Sequence, residues 1–171
     1  KSLTARFTIK NRKGKLKNKR SLQKFCNLPA SDQPLLGVIT RLASQKGIEL
    51  IIDAVPKLVE LDVQLVILGT GEKKYEQALK KLTKQYPEHI CAQIMFDPTL
   101  AKQIYASVDM FLIPSLYEPC GLTQMMAMRY GTLPVVRSVG GLKNTIHNNK
   151  NGFTFNSCTS AALLKSIKAG I

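Results

Sequence analysis

The sequence predicts an α/β domain built on a parallel sheet with helices on both faces. Three observations carry this. After Pro34, short apolar runs alternate with stretches of helical periodicity. The runs are apolar throughout rather than alternating, as strands covered on both faces must be. At 171 residues, the chain is long enough for one domain with a real core and too short for two ordinary ones. The expected division is a basic connecting segment over 1–24 and one domain over 25–171.

The first strand is Leu35 to Ile39, Leu-Leu-Gly-Val-Ile. Ile48 to Leu61 follows as a helix. Ile48, Ile51, Ile52, Val55, Leu58 and Val59 lie on one face and Asp53, Lys57 and Glu60 on the other, with Pro56 marking a kink. Val63 to Leu68 is the second strand. Tyr75 to Tyr86 is an amphipathic helix ended by Pro87. His89 to Phe96 and Leu100 to Val108 form the third strand and helix. Met110 to Pro114 and Gly121 to Tyr130 form the fourth pair. Leu133 to Arg137 is a fifth strand and Leu142 to His147 a short helix. Phe153 to Phe155 and Ala161 to Ala169 close the chain as strand and helix.

The formal charge of +14 is unevenly spread. Ten of the 25 Lys and Arg fall in Lys1 to Lys24, which holds no acid. The other fifteen face eleven acids. Such a run fits nucleic acid in principle. Aromatic interleaving amounts to Phe7 and Phe25 alone, so the run reads as a solvated connector instead. It lacks the apolar stretch of a signal peptide, and no run approaches the roughly 18 apolar residues of a membrane span. The chain opens without Met and is expected to be part of a longer protein. Cys26, Cys91, Cys120 and Cys158 are scattered, with only His89 and His147 to join them, so no metal site is expected. The pattern suits a reducing compartment and leaves one disulfide open.

Right-handed crossovers bring the strand-to-helix loops to one edge of the sheet, where ligands of such folds bind. These loops are Thr40 to Gly47, Gly69 to Glu72, Ser115 to Gln124 and Ser138 to Leu142. Gly69-Thr70-Gly71 lacks the third glycine of a dinucleotide fingerprint. There is no phosphate loop ending in Gly-Lys-Ser/Thr and no Gly-x-Ser-x-Gly elbow.

What remains suits anions and hydroxyls. A helix starting at Gly121 offers the amides of Gly121, Leu122 and Thr123 to phosphate. Arg41 and Lys46 add two cations. Glu118 suits sugar hydroxyls, since a carboxylate accepts several donors. Each residue also has a plain structural use. Arg41 and Lys46 serve as solvated charges, Glu118 as a carboxylate at a helix start, and Gly121 and Gly140-Gly141 as turn residues. Met125, Met126 and Met128 read as core contacts, and Phe96 as packing or base stacking. Their coincidence at one edge favours a site.

Arg41-Leu42-Ala43-Ser44-Gln45-Lys46-Gly47, Leu68-Gly69-Thr70-Gly71, Pro114-Ser115, Glu118 to Gln124, Tyr130 to Arg137 and Gly140-Gly141-Leu142 resemble the bacterial glycogen synthase and plant starch synthase family. Asn18 to Gln23 resembles the entry to that family's C-terminal domain. The likeness runs from about Lys15 to Phe155. It implies a Rossmann-like domain, the C-terminal, donor-binding half of a GT-B fold. The implied enzyme is a retaining glucosyltransferase that moves glucose from ADP-glucose or UDP-glucose to the non-reducing end of an α-1,4-glucan, without metal or cofactor. By motif position, Arg41 and Lys46 stabilise the leaving diphosphate. The Gly121-Leu122-Thr123 amides and the Thr123 hydroxyl hold phosphate, and Glu118 and the Cys120 backbone meet the glucose. Gly69 and Thr70 belong to the donor site, and Phe96 stands where many relatives stack Tyr on adenine. The family's acceptor-side N-terminal domain has no counterpart in these residues. The chain alone is therefore expected to bind donor weakly and transfer nothing; the alternative reading is a non-catalytic nucleotide- or nucleic-acid-binding module. The family lives in bacterial cytoplasm or plastid stroma.

Overall fold

The computed structural model describes residues 3–171. Its elements are α1 (Lys13–Phe25), β1 (Leu35–Ile39), α2 (Ile48–Glu60), β2 (Gln64–Leu68), α3 (Lys73–Gln85), β3 (Ile90–Gln93), α4 (Pro98–Ser107), β4 (Met110–Ile113), α5 (Thr123–Arg129), β5 (Leu133–Arg137), α6 (Gly140–Thr145), β6 (Phe153–Phe155) and α7 (Ser160–Lys168). The six strands form one sheet, ordered β3-β2-β1-β4-β5-β6, and every pairing is parallel. The fold is the parallel sheet with helices on both faces that the alternation predicts, wound in the Rossmann-like way that the family resemblance implies. The chain runs outward from β1 to β3, returns to β4 beside β1, and runs outward the other way. That reversal opens a crevice at the carboxyl ends of β1 and β4.

Two apolar layers flank the sheet. Leu36, Val38, Leu65, Ile67, Met110 and Leu112 face a layer with α2, α3 and α7. Leu35, Val66, Leu68, Phe111 and Ile113 face a layer with α1, α4, α5 and α6. The two-residue period of a strand sends neighbours to opposite faces, and both faces are covered, so both positions are apolar. Pro56 stands inside α2, which continues unbroken to Glu60. Asp97 caps α4, its side chain accepting from the Thr99 and Leu100 amides, with Pro98 at the first helical position. Among the described residues no helix is long and apolar enough to cross a membrane.

The basic segment departs from the expectation of a solvated connector. Lys1 and Ser2 lie outside the described residues, but 13–25 is helix α1, packed on α4. Three of its cations turn inward. Lys19 Nζ donates to Asp109 Oδ2 at 2.7 Å and to the Gln33 carbonyl at 2.6 Å. Lys15 Nζ donates to Thr132 Oγ1 at 2.7 Å and the Tyr130 carbonyl at 3.1 Å. Arg20 donates to the Ser31 carbonyl and to Asp32. The buried Gln23 amide donates to Gln64 Oε1 at 2.7 Å, tying α1 to β2. Charge alone hid this helix because its inward cations find carbonyls and carboxylates supplied by distant residues.

Two smaller differences matter for the site. Helix α5 starts at Thr123 instead of Gly121, because Gly121 takes φ +69° and so cannot be helical. The unbonded first-turn amides therefore belong to Thr123, Gln124 and Met125. Met125 and Met126 are exposed instead of core, and Met128 is half-buried. All four cysteines are free, Cys26 and Cys91 buried and Cys120 and Cys158 exposed.

Candidate functional site

The crevice at the β1/β4 reversal is a cavity of about 80 Å³. Its floor is Val38, Ile39 and Thr40 from β1 and its exit, and Leu112 to Ser115 from β4 and its exit. Its walls are Lys46, Glu118, Leu122 and Thr123. Strand β1 ends at Ile39, and the chain turns through a short 3-10 turn at Ser44–Lys46 into α2. Gly47 ends that turn at φ +70°, with no room for a side chain against the Pro114 carbonyl. The Leu116 amide donates to the Gln45 carbonyl at 2.9 Å. These contacts bind the loop after β1 to the loop after β4 and carry Lys46 over the crevice.

Lys46 Nζ lies 2.6 Å from Glu118 Oε2, with the two side chains 22% and 16% exposed. The Ser115 hydroxyl donates to the same oxygen at 3.2 Å. The Glu118 carbonyl accepts from the Gly141 amide at 3.0 Å. Gly140 and Gly141 leave no space for side chains against the Glu118 and Cys120 carbonyls, so α6 presses directly on this loop. Arg137 adds a bond from its guanidinium to the Leu116 carbonyl at 3.1 Å. Buried Gln124 donates to the Gly121 carbonyl at 2.8 Å and to Thr145 Oγ1 at 3.1 Å. The loop carrying Glu118 is thus braced from β4, β5, α5 and α6.

The other expected residues fall in three places. Leu122 and Thr123 line the crevice, with Gly121 buried and Cys120 exposed on the same loop. Arg41 is exposed in a neighbouring, wider cleft of about 380 Å³, with Leu42 to Gln45, Gly71 and Glu72. Among the described residues nothing pairs with it. Gly69 and Thr70 sit at the end of β2. The Leu42 amide donates to the Thr70 carbonyl at 2.8 Å, and Leu42 bridges Gly71, so the loops after β1 and β2 run side by side. Phe96 follows edge strand β3 and is 88% exposed, lining neither cleft. The structure therefore brings Lys46, Glu118, Leu122 and Thr123 together, sets Arg41 next door and leaves Phe96 at the sheet's margin.

Ser115, Gln124 and Arg137 stand in the motifs that carry the family resemblance, but the sequence assigns them no role in the site. Ser115 had a signal, since it directly follows a strand at the reversal. Gln124 and Arg137 act through backbone carbonyls, which no side-chain motif reveals.

In electrostatic terms the crevice offers one ammonium, one carboxylate and, on its wall, Thr123 with the unbonded amide that opens α5. The ammonium and amide suit a phosphate. The carboxylate suits hydroxyl donors. A ligand carrying both groups is the one that uses the crevice fully.

The chain is 48% identical over 171 residues to a glycogen synthase of Lactiplantibacillus plantarum, covering 96% of this chain and 36% of that protein. It is 45% identical over 178 residues to one of Thermosipho africanus, covering 100% and 37%. The chain thus spans little more than a third of the length of these relatives. Among solved structures, the catalytic domain of starch synthase IV from Arabidopsis thaliana, bound to ADP and acarbose, superposes with a TM-score of 0.93. It is 36% identical, covering 98% of this chain and 37% of that one. The family model described as glycosyl transferases group 1 matches residues 19–170, nearly the whole chain. With that match over the sheet, both helical layers and the crevice, the chain belongs to the glycosyl transferases group 1 family.

Proposed function

We propose that this domain binds the nucleotide-sugar donor of a glycogen or starch synthase. The reaction transfers glucose, with retention, from ADP-glucose or UDP-glucose to the non-reducing end of an α-1,4-glucan. The observation that carries the reading is the Lys46–Glu118 pair at the β1/β4 reversal, in a chain close to half identical to glycogen synthases. The starch synthase IV structure that superposes on this chain is bound to ADP and acarbose, which supports a nucleoside diphosphate as part of the ligand.

Breaking the bond between the sugar and the phosphate leaves negative charge on the diphosphate and positive charge at the sugar carbon. Lys46 and Arg41 stabilise the departing diphosphate more than the intact donor, which accelerates the step. The Thr123 hydroxyl and the amides at the start of α5 add neutral donors. Glu118 and the Cys120 backbone hold the glucose hydroxyls, and Phe96 offers a ring to the base. The acceptor oxygen bonds to the sugar carbon on the face from which the phosphate departs and gives its proton to that phosphate, so configuration is retained. Acceptor recognition belongs to the N-terminal domain of such enzymes, so these 171 residues alone bind donor and extend no glucan. The setting is one that supplies the donor, bacterial cytoplasm or plastid stroma.

Calorimetric titration of ADP-glucose and UDP-glucose tests the reading. Wild type binds one or both, and Arg41→Ala and Lys46→Ala each weaken binding by about tenfold, the scale of one lost charged hydrogen bond. Equal affinity in wild type and both variants overturns it. A measurable glucan-elongating rate for the 171 residues overturns the second half.

A further inference from the structure

Oxygen Oε2 of Glu118 receives both side-chain bonds that the carboxylate makes, from Lys46 Nζ at 2.6 Å and from Ser115 Oγ at 3.2 Å. Oε1 takes no bond from any described residue. The two partners differ in kind. Lys46 carries a charge that an incoming phosphate attracts, and its ammonium has three donors to distribute. Ser115 is 2% exposed, sits directly after β4, and has one hydroxyl hydrogen, which goes to Glu118. When a diphosphate draws on Lys46, Ser115 remains the uncharged contact that keeps the carboxylate in place.

We propose that Ser115 is a positioning residue for sugar recognition. By holding Oε2 it keeps Oε1 turned to the crevice as the acceptor for a sugar hydroxyl. It thereby sets the preference for a sugar-bearing nucleotide over the bare nucleoside diphosphate. This rests on the donor reading above and adds a residue to it that acts only through Glu118. Arg137 and Gly141 brace the same loop through backbone carbonyls. They fix where Glu118 starts, while Ser115 fixes where its carboxylate points.

The test compares affinities for ADP-glucose and ADP, and for UDP-glucose and UDP, in wild type, Ser115→Ala, Ser115→Thr and Glu118→Ala. Ser115→Ala is expected to leave the diphosphate affinity within about twofold and to weaken the sugar nucleotide by about tenfold, as for one lost hydrogen bond to a charged group. Ser115→Thr keeps the hydroxyl and restores the wild-type ratio. In a Glu118→Ala background the Ser115 substitution changes the ratio by less than about twofold, because its effect passes through the carboxylate. If Ser115→Ala fails to fold, Ser115→Cys keeps the volume with a weak donor and carries the same expected loss. A wild-type ratio retained in Ser115→Ala overturns the inference alone, as does an equal loss for sugar nucleotide and diphosphate. A wild type that binds none of the four ligands overturns the donor reading as well.

Discussion

The ammonium of Lys46 meets the Glu118 carboxylate at 2.6 Å, joining residues 72 positions apart across the reversal of the sheet. Both side chains keep some solvent, so the pair is neither a free surface contact nor a sealed one. Lys46→Met is expected to lower stability by about 1–2 kcal/mol, between the surface and buried limits. Urea denaturation measures this directly. Unchanged stability would mean that water serves Glu118 as well as Lys46 does.

Gly47 stands between the first loop and α2 at φ +70°, facing the Pro114 carbonyl. Gly47→Ala brings both left-handed strain and a clash with backbone that cannot swing away. A loss of about 2–4 kcal/mol is expected. Because the shift moves the turn carrying Lys46, nucleotide affinity should fall as well. A variant as stable as wild type would show that the turn relaxes freely.

Asp109 Oδ2 accepts from Lys19 Nζ at 2.7 Å and from the Leu35 amide at 2.8 Å, while the Lys19 side chain is 7% exposed. Asp109→Ala leaves that ammonium with carbonyls and the water that reaches the 42% exposed Asp109 position, and should cost about 2 kcal/mol, between the surface and buried limits. Adding Lys19→Met should recover part of the loss, since it removes the stranded charge. Additive losses in the double variant would sink this account. Proteolysis near residues 26–33 would report loosening of α1.

Burial lowers Lys15 from 10.5 to about 8, with Asp109 opposing and Lys19 adding to the shift. The sign is the reverse of a stabilising ion pair. Below about pH 8 the folded protein holds a charged, poorly solvated ammonium, and the full cost is present. Between pH 8 and 10.5 the folded state sheds that proton before the unfolded chain does, so stability rises with pH over this window. The difference in Tm between wild type and Lys15→Met should therefore move in favour of wild type from pH 7 to pH 9.5. The change corresponds to about 2 kcal/mol at most. A pH-independent difference would place the ammonium in better contact with water.

Most of the sheet was legible because local pattern and tertiary burial agree after Pro34. Leu35 to Ile39 and Leu133 to Arg137 match residue for residue. The ends of other elements moved by a few residues where a special backbone decided them, as Gly121 did for α5. Helix α1 was not legible as a packed helix. Its apolar content is low, and its inward cations Lys15, Lys19 and Arg20 become intelligible only beside Thr132, Asp109 and the Ser31 carbonyl.

By itself the sequence determined the alternation of strands and helices, and hence a parallel sheet with its loops gathered at one edge. Period and composition are local properties, and burial on both faces leaves a local mark. Tertiary structure decided the strand order, and with it which loops face each other. It joined Lys46 to Glu118 and Ser115, put Arg41 in the adjoining cleft and left Phe96 at the margin. Those relations depend on distances between residues far apart in the chain, and one-dimensional spacing does not encode them.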